Sequence, residues 1–209
     1  AWPFRNSFIT PMAAVAGAVA DHLLAAMLIG RRLSRAYVND GGDIAFHLAT
    51  GERLSCGVVS NVLAPAVDGK IELASEMPVR GIATSGAATK GTGGRSFSLG
   101  IADAVTVLAH DAAAADAAAT VIGNAVDLPG HASVVRCPAS DMDPDSDLGD
   151  RQVTLAVGTL ALPEIEAALA AGLAEAERLR QAGMIYGSVL TLQGRFVVCG
   201  DKSKLMQAA

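Results

Sequence analysis

Strand signals follow one another from Ala36 to Leu108 with no helical stretch between them, and this run constrains the fold more than any other feature. Ala36–Asn39, Ile44–Leu48, Leu54–Val59, Gly69–Leu73 and Arg80–Gly86 are short and largely aliphatic, with Thr50-Gly51-Glu52 reading as a turn. Parallel neighbours need long, usually helical crossovers, whereas antiparallel neighbours need only a tight turn. Phe97–Leu108 adds one or two strands, and the Ala-rich segment Asp111–Val126 is helical by propensity. Val153–Leu160 reads as a strand, Pro163–Ala182 as a long helix opened by proline, and Met184–Cys199 as a hairpin turning at Gln193-Gly194. An early helix runs to Met27, with Thr10 as its N-cap and Pro11 in its first turn. The order lacks regular βαβ alternation. It predicts one α+β domain over residues 1–209, a mainly antiparallel sheet packed against helices.

Hydrophobic residues make up 51 % of the chain and charged residues 18 %, a globular composition. The formal net charge is −5 with Lys and Arg scattered, which excludes the concentrated basic footprint that nucleic-acid binding requires. A small molecule or a protein is the expected partner. Cys56, Cys137 and Cys199 are odd in number and form no CxxC pair, so free thiols in a reducing, cytoplasmic setting are expected. The apolar stretch Met12–Gly30 is interrupted by Asp21 and His22, which predicts a core helix and not a membrane span. The first residue is Ala1, which is also compatible with a removed export signal.

Three stretches carry residue types suited to ligand chemistry. Asp116 and Thr120 are four residues apart, so on a helix a carboxylate and a hydroxyl converge on one point, and Asn124 extends the stripe. A hard cation such as Mg²⁺ takes oxygen ligands of this kind and fills its other positions with water or phosphate. The same spacing also serves a solvated helix face. Asn39-Asp40-Gly41-Gly42-Asp43 stands at a strand end, where two glycines allow close approach to a ligand or simply make a turn. Ala83-Thr84-Ser85-Gly86 leads into a glycine-rich loop with Lys90 and Arg95, offering hydroxyls and free amides to a diphosphate. The acidic run Asp141–Asp150 reads as a solvated loop. Ser146 and Gln152 stand where a calcium loop of the EF-hand type needs Gly and Glu. His22, His47, His110 and His131 show no metal-ligand spacing, although His110 directly precedes the Asp111 helix.

In combination and order these stretches resemble the signatures of the ApbE-like family. Its Asn-x-Gly-Gly-Asp/Glu stretch is matched by Asn39–Asp43, and its Ala-Thr-Ser-Gly stretch by Ala83–Gly86. Its Val-Thr-Val and Ala-Asp-Ala-x-x-Thr stretches are matched by Val105–Val107 and Ala115–Thr120, and its early-helix Gly and Asp by Gly17 and Asp21. The resemblance implies a T-fold-type domain that binds FAD or a related flavin nucleotide together with Mg²⁺. It further implies transfer of FMN to a Ser or Thr of an acceptor protein. Asp116, Thr120 and a backbone carbonyl near Val15 would hold the metal. Asn39, Gly41, Gly42, Asp43, Thr84, Ser85 and Gly86 would border the nucleotide. The chain differs from the family pattern in two places. Ala16 replaces a Lys before the glycine, and Arg95–Asp103 replaces a His-x-x-Asp-Pro-x-Thr-Gly segment. These differences suggest a shorter branch, in which the activity is either a flavin or nucleotidyl transfer or binding without turnover. An interaction module that oligomerises through a sheet edge is the third reading.

Overall fold

The computed structural model of the chain describes residues 1–58, 69–86 and 97–201. Two 3₁₀ turns, Trp2–Phe4 and Pro11–Ala14, lead into α1 (Val15–Leu28). Six strands follow: β1 (Arg35–Asp40), β2 (Asp43–Leu48), β3 (Arg53–Val58), β4 (Gly69–Ala74), β5 (Gly81–Ser85) and β6 (Ala104–Ala109). Then come α2 (Ala112–Ala125), β7 (Val134–Pro138), α3 (Ala139–Met142), β8 (Gln152–Val157) and α4 (Leu162–Gln181). β9 (Gly187–Leu192) and β10 (Arg195–Cys199) complete the described elements.

The central sheet has the order β1-β2-β5-β6-β9-β10, and each neighbouring pair is antiparallel, so the α+β reading holds. Asp40 pairs with Asp43 across Gly41-Gly42, whose φ angles are 67° and 110°. Leu192 pairs with Arg195 across Gln193-Gly194, as expected from the sequence, with φ angles of 44° and 76°. Two-residue hairpins need such positive φ values because their twist must match that of the strands.

Helices cover one face of the sheet. There Ala83, Val105, Val107 and Leu190 share a core with Ala115, Ala118 and Ile122 of α2 and Leu169 of α4. On the other face Phe46, Leu48, Ile82 and Leu108 pack beneath Ile71 and Leu73 of the β3–β4 hairpin. A third cluster joins Ala20 and Leu24 of α1 to Ala36, Val38 and Ala45 of β1 and β2, so α1 lies over that edge of the sheet.

The contact between α1 and α2 is backbone against backbone. A Cβ placed on Gly17 would stand 2.3 Å from the Ala112 carbonyl oxygen and 2.8 Å from Ala113 Cα. Each helix also satisfies amides of the other. The Asp21 carboxylate of α1 accepts from the Ala112 and Ala113 amides at 3.1 and 2.9 Å. Asp116 of α2 accepts from the Gly17 amide at 3.1 Å. Asp111 adds a local N-cap to α2, accepting from Ala114 at 2.7 Å. First-turn amides have no partner within their own helix, so these carboxylates meet a need that every helix start creates.

Several expectations require correction. Pro11–Ala14 is a 3₁₀ turn and α1 begins at Val15. Thr10 makes no side-chain cap; its backbone carbonyl accepts from the Ala13 amide, and in α1 itself the Gly17 amide is served from across the fold by Asp116. Of Phe97–Leu108, only Ala104–Ala109 is strand. Leu99, Ile101 and Asp103 spend their amides on Asn124, Val126 and Thr191 instead. The acidic run opens in the short helix α3, which contains Asp141. β7 gave no sequence signal, and it pairs with β8, which ends at Val157 and not Leu160. The early helix is not fully enclosed. Pro11–Leu28 is long and apolar enough to cross a membrane by length and composition, with mean hydropathy 1.5, yet only 17 % of it is buried.

Asp21→Ala is expected to lower unfolding free energy by about 1–2 kcal/mol, as cap deletions do. Gly17→Ala should cost about 1–3 kcal/mol through overpacking against Ala112. Urea titration measures both, and wild-type midpoints in either variant would contradict this close crossing of α1 and α2.

Candidate functional site

Four elements meet at one end of the sheet. They are the β1–β2 turn, the end of β5, the first turn of α1 and the middle of α2. Asp43, the first residue of β2, takes a hydrogen bond from the Thr84 backbone amide and feels the charge of Asp116. Asp116 is bound in turn to the Gly17 amide, and Asp40 acts on both carboxylates.

This arrangement concentrates negative charge where water is scarce. Burial, followed by the nearby Asp116 carboxylate, pushes the Asp43 carboxyl up to about 7, against the opposing Thr84 amide. Burial also raises Asp116 to about 6, with the Gly17 amide opposing it and Asp40 adding to the rise. Among the described residues the ion pairs of Lys and Arg fall elsewhere, as in Arg136 with Asp127 and Arg178 with Glu175. Among the described residues no Lys or Arg side chain pairs with these three aspartates, and the Ala1 ammonium opposes the rise of Asp116.

The residues expected at the site are brought together to different degrees. Gly41 and Gly42 form the turn, with open space where side chains would stand. Asn39 is committed to that turn, its Oδ1 accepting from the Gly42 amide at 2.8 Å. Thr84 reaches the site through its amide alone. Its hydroxyl is bonded to that of Thr106 at 2.9 Å, and Thr106 belongs to the same strand face as Leu108, away from the helices. Ser85 faces α2, its Oγ 3.9 Å from where a Gly123 Cβ would lie. Gly86 follows with φ at 127°, against the Asp103 carbonyl. Thr120 is half-buried one helical turn beyond Asp116, and Val15 is the first residue of α1. Lys90 and Arg95 lie outside the described residues.

Asn124 is not part of this stripe, because its Oδ1 accepts from Leu99 at 3.0 Å. His110 pairs with Asp111 and His131 with Glu164, both at 2.9 Å, while His47 lies 3.2 Å from the Leu33 carbonyl. The Asp21 fork on α2 falls on the early-helix Gly and Asp of the family pattern, matched by Gly17 and Asp21. Gly17 and Asp21 are four residues apart, and that spacing was the available sign that both face one neighbour.

Among the described residues no three His, Cys, Asp or Glu side chains group to hold a metal. An all-protein cage is thus not on offer. Mg²⁺ does not need one, since it takes a small protein share of oxygen ligands when phosphates and water complete its shell. A cavity of about 550 Å³ lies elsewhere, between the end of α2 and Arg136, Arg151 and Glu175, and neither Asp43 nor Asp116 lines it. The chemistry of a site follows its convergent groups, so the carboxylate end is the better candidate.

A family profile described as "AbpE bacteria" matches residues 1–198. The chain belongs to this ApbE-like family, and the match extends the resemblance through the C-terminal third. A UPF0280 protein of Methanothrix thermoacetophila is 39 % identical over 118 residues, covering 56 % of this chain and 46 % of that protein. UPF0280 proteins of Methanobrevibacter smithii and Archaeoglobus fulgidus are 38 % and 40 % identical over 118 and 119 residues. They share 56 % of this chain with 46 % and 45 % of their own lengths. The chain thus spans about half the length of these relatives.

The raised Asp43 carboxyl has a consequence for stability. The folded protein keeps a proton that the unfolded chain releases between about pH 4 and 7, so stability falls as pH rises through that window. Asp43→Asn abolishes this loss while keeping an acceptor for Thr84. Above pH 7 the variant should be the more stable by up to about 4 kcal/mol, with the difference closing toward pH 4. Thermal unfolding across pH measures it. Equal wild-type and variant curves at every pH would show that the carboxylate is not strained.

Proposed function

We propose that the chain binds a flavin nucleotide with a divalent metal, FAD with Mg²⁺, at the Asp43–Asp116 end of the sheet. The carrying observation is the set of crowded, partly buried carboxylates with no cationic side chain beside them among the described residues. A divalent cation relieves such crowding and presents its free positions to a diphosphate, which suits a chain with net charge −5. Asp116 would offer the oxygen that Gly17 leaves unengaged, Thr120 its hydroxyl and Val15 its carbonyl. A bound metal would supply charge neutralisation at the phosphoryl oxygens.

The remaining roles belong to backbone. The open Gly41-Gly42 turn, Ser85 and Gly86 would border the nucleotide, and the Thr84 amide would hold the Asp43 carboxylate in place. Transfer of FMN to an acceptor-protein hydroxyl is the reaction class we favour. The second reading, binding without turnover, draws on Ala16. This residue precedes Gly17 at the start of α1, where it offers neither charge nor a proton-transfer group. In either reading the chain is a single cytoplasmic domain, a setting that suits its three free thiols.

Calorimetry with FAD, with and without Mg²⁺, tests this on wild type, Asp116→Asn and Thr120→Val. Asn retains an acceptor for the Gly17 amide, so it removes charge without uncapping α1. Metal-dependent binding weakened about tenfold or more in both variants is the expected result. Absence of binding in wild type, or equal binding in all three, would overturn the proposal. Release of AMP from FAD in the presence of an acceptor protein selects transfer over simple binding.

A further inference from the structure

α1 turns an apolar face outward. Val15, Val19, Leu23 and Met27 recur every fourth residue and are 42, 42, 47 and 39 % exposed, with Met12 and Ile29 extending the row. Ala18, Ala25 and Ala26 beside them are also exposed. His22 is the polar residue on this face. Patches of this extent mark interaction sites on soluble domains.

A second feature adjoins it. α1 packs over β1 through Ala20, Leu24, Ala36 and Val38, and β1 is the edge strand of the central sheet. Among the described residues no strand pairs with its outer side. Asp40 and Asp43 flank a two-residue turn, so the outward amides and carbonyls of β1 belong to Arg35, Tyr37 and Asn39. β1 contains neither proline nor a bulge, the usual devices that block edge pairing.

Charge determines what fits this edge. The start of α1 stands beside Asp40, Asp43 and Asp116, while its far end carries the exposed pair Arg31 and Arg32. Arg31 folds back on the Met27 carbonyl at 2.8 Å, and neither arginine has an ion-pair partner among the described residues. One end of the face is therefore acidic and the other basic, a distribution that complements itself when turned end for end.

We propose that a second copy of this chain docks on the outer face of α1 and the free edge of β1, about a two-fold axis normal to the sheet. That axis makes both β1 strands antiparallel neighbours and brings the two α1 faces together on one side. With Tyr37 opposite its own counterpart, Arg35 of each copy faces Asn39 of the other, and all three outward-bonding residues of each strand are paired. Arg31 and Arg32 of the second copy then lie toward the Asp40, Asp43 and Asp116 end of the first, so each copy brings cations to the other's acidic site. A stable interface covers about 800 Å² per partner, more than a helix face of four turns provides alone, and the strand edge supplies the remainder. An anionic membrane is the weaker occupant, because it would repel the acidic end of the same face.

Sedimentation velocity of the full chain at micromolar concentration tests the proposal, alongside Val19→Glu/Leu23→Glu and Arg31→Glu/Arg32→Glu. Both substituted pairs are exposed, so circular dichroism should show wild-type folding in each. Wild type should sediment at twice the chain mass, the helix-face variant at the chain mass, and the arginine variant should dissociate about tenfold or more readily. A monomeric wild type overturns the proposal, and so does a dimer untouched by the helix-face changes. Cosedimentation of a monomeric wild type with phosphatidylserine vesicles would assign the face to a membrane instead.

Discussion

Two aspartates exchanged between two helices hold the candidate site together. Asp21 leaves α1 to serve the first amides of α2, and Asp116 leaves α2 to serve an amide in the first turn of α1. The exchange is possible because Gly17 lets the Ala112 backbone approach to a distance that no side chain would allow. The Ala-rich inner face of α2 then brings that helix down onto β5 and β6. The crossing fixes where Asp116 stands, and the Asp40–Asp43 hairpin register fixes what stands opposite it.

Asp116 consequently has two separable properties. As a hydrogen-bond acceptor it completes α1. As a charge it opposes Asp43 in a region where burial already disfavours ionisation. An uncharged acceptor would satisfy the fold equally well, yet the chain carries a carboxylate. Residues that work against stability in this way concentrate at functional sites.

The sequence made some of this architecture readable. Gly41-Gly42 and Gln193-Gly194 announced their hairpins, because few residues accept positive φ, and alanine content announced α2. The clustering of Asp43 with Asp116 was legible only through family resemblance, since no local pattern links residues on a strand and a helix so far apart. Features decided by tertiary partners stayed hidden. Thr10 looked like the cap of α1, but α1 starts only at Val15 and Thr10 meets the Ala13 amide with its carbonyl. Phe97–Asp103 looked extended, but its amides bond to the end of α2 and to β9. Thr84 named the right strand end, yet its hydroxyl points to the far face, a matter of strand register that one strand alone does not reveal. The apolar run of α1 suggested a core helix because hydropathy does not tell a buried face from an exposed one.

The helix crossing forces Asp43 and Asp116 into a shared, partly buried space. Carboxyl-carbon NMR titration of the two residues, in metal-free buffer and again with Mg²⁺, tests it most directly. Without metal, midpoints of about 7 for Asp43 and about 6 for Asp116 are predicted, with at least the Asp116 midpoint falling when Mg²⁺ is present. Ordinary carboxylate midpoints of about 4 for both residues, unmoved by Mg²⁺, would show that the two carboxyls neither crowd each other nor meet the metal.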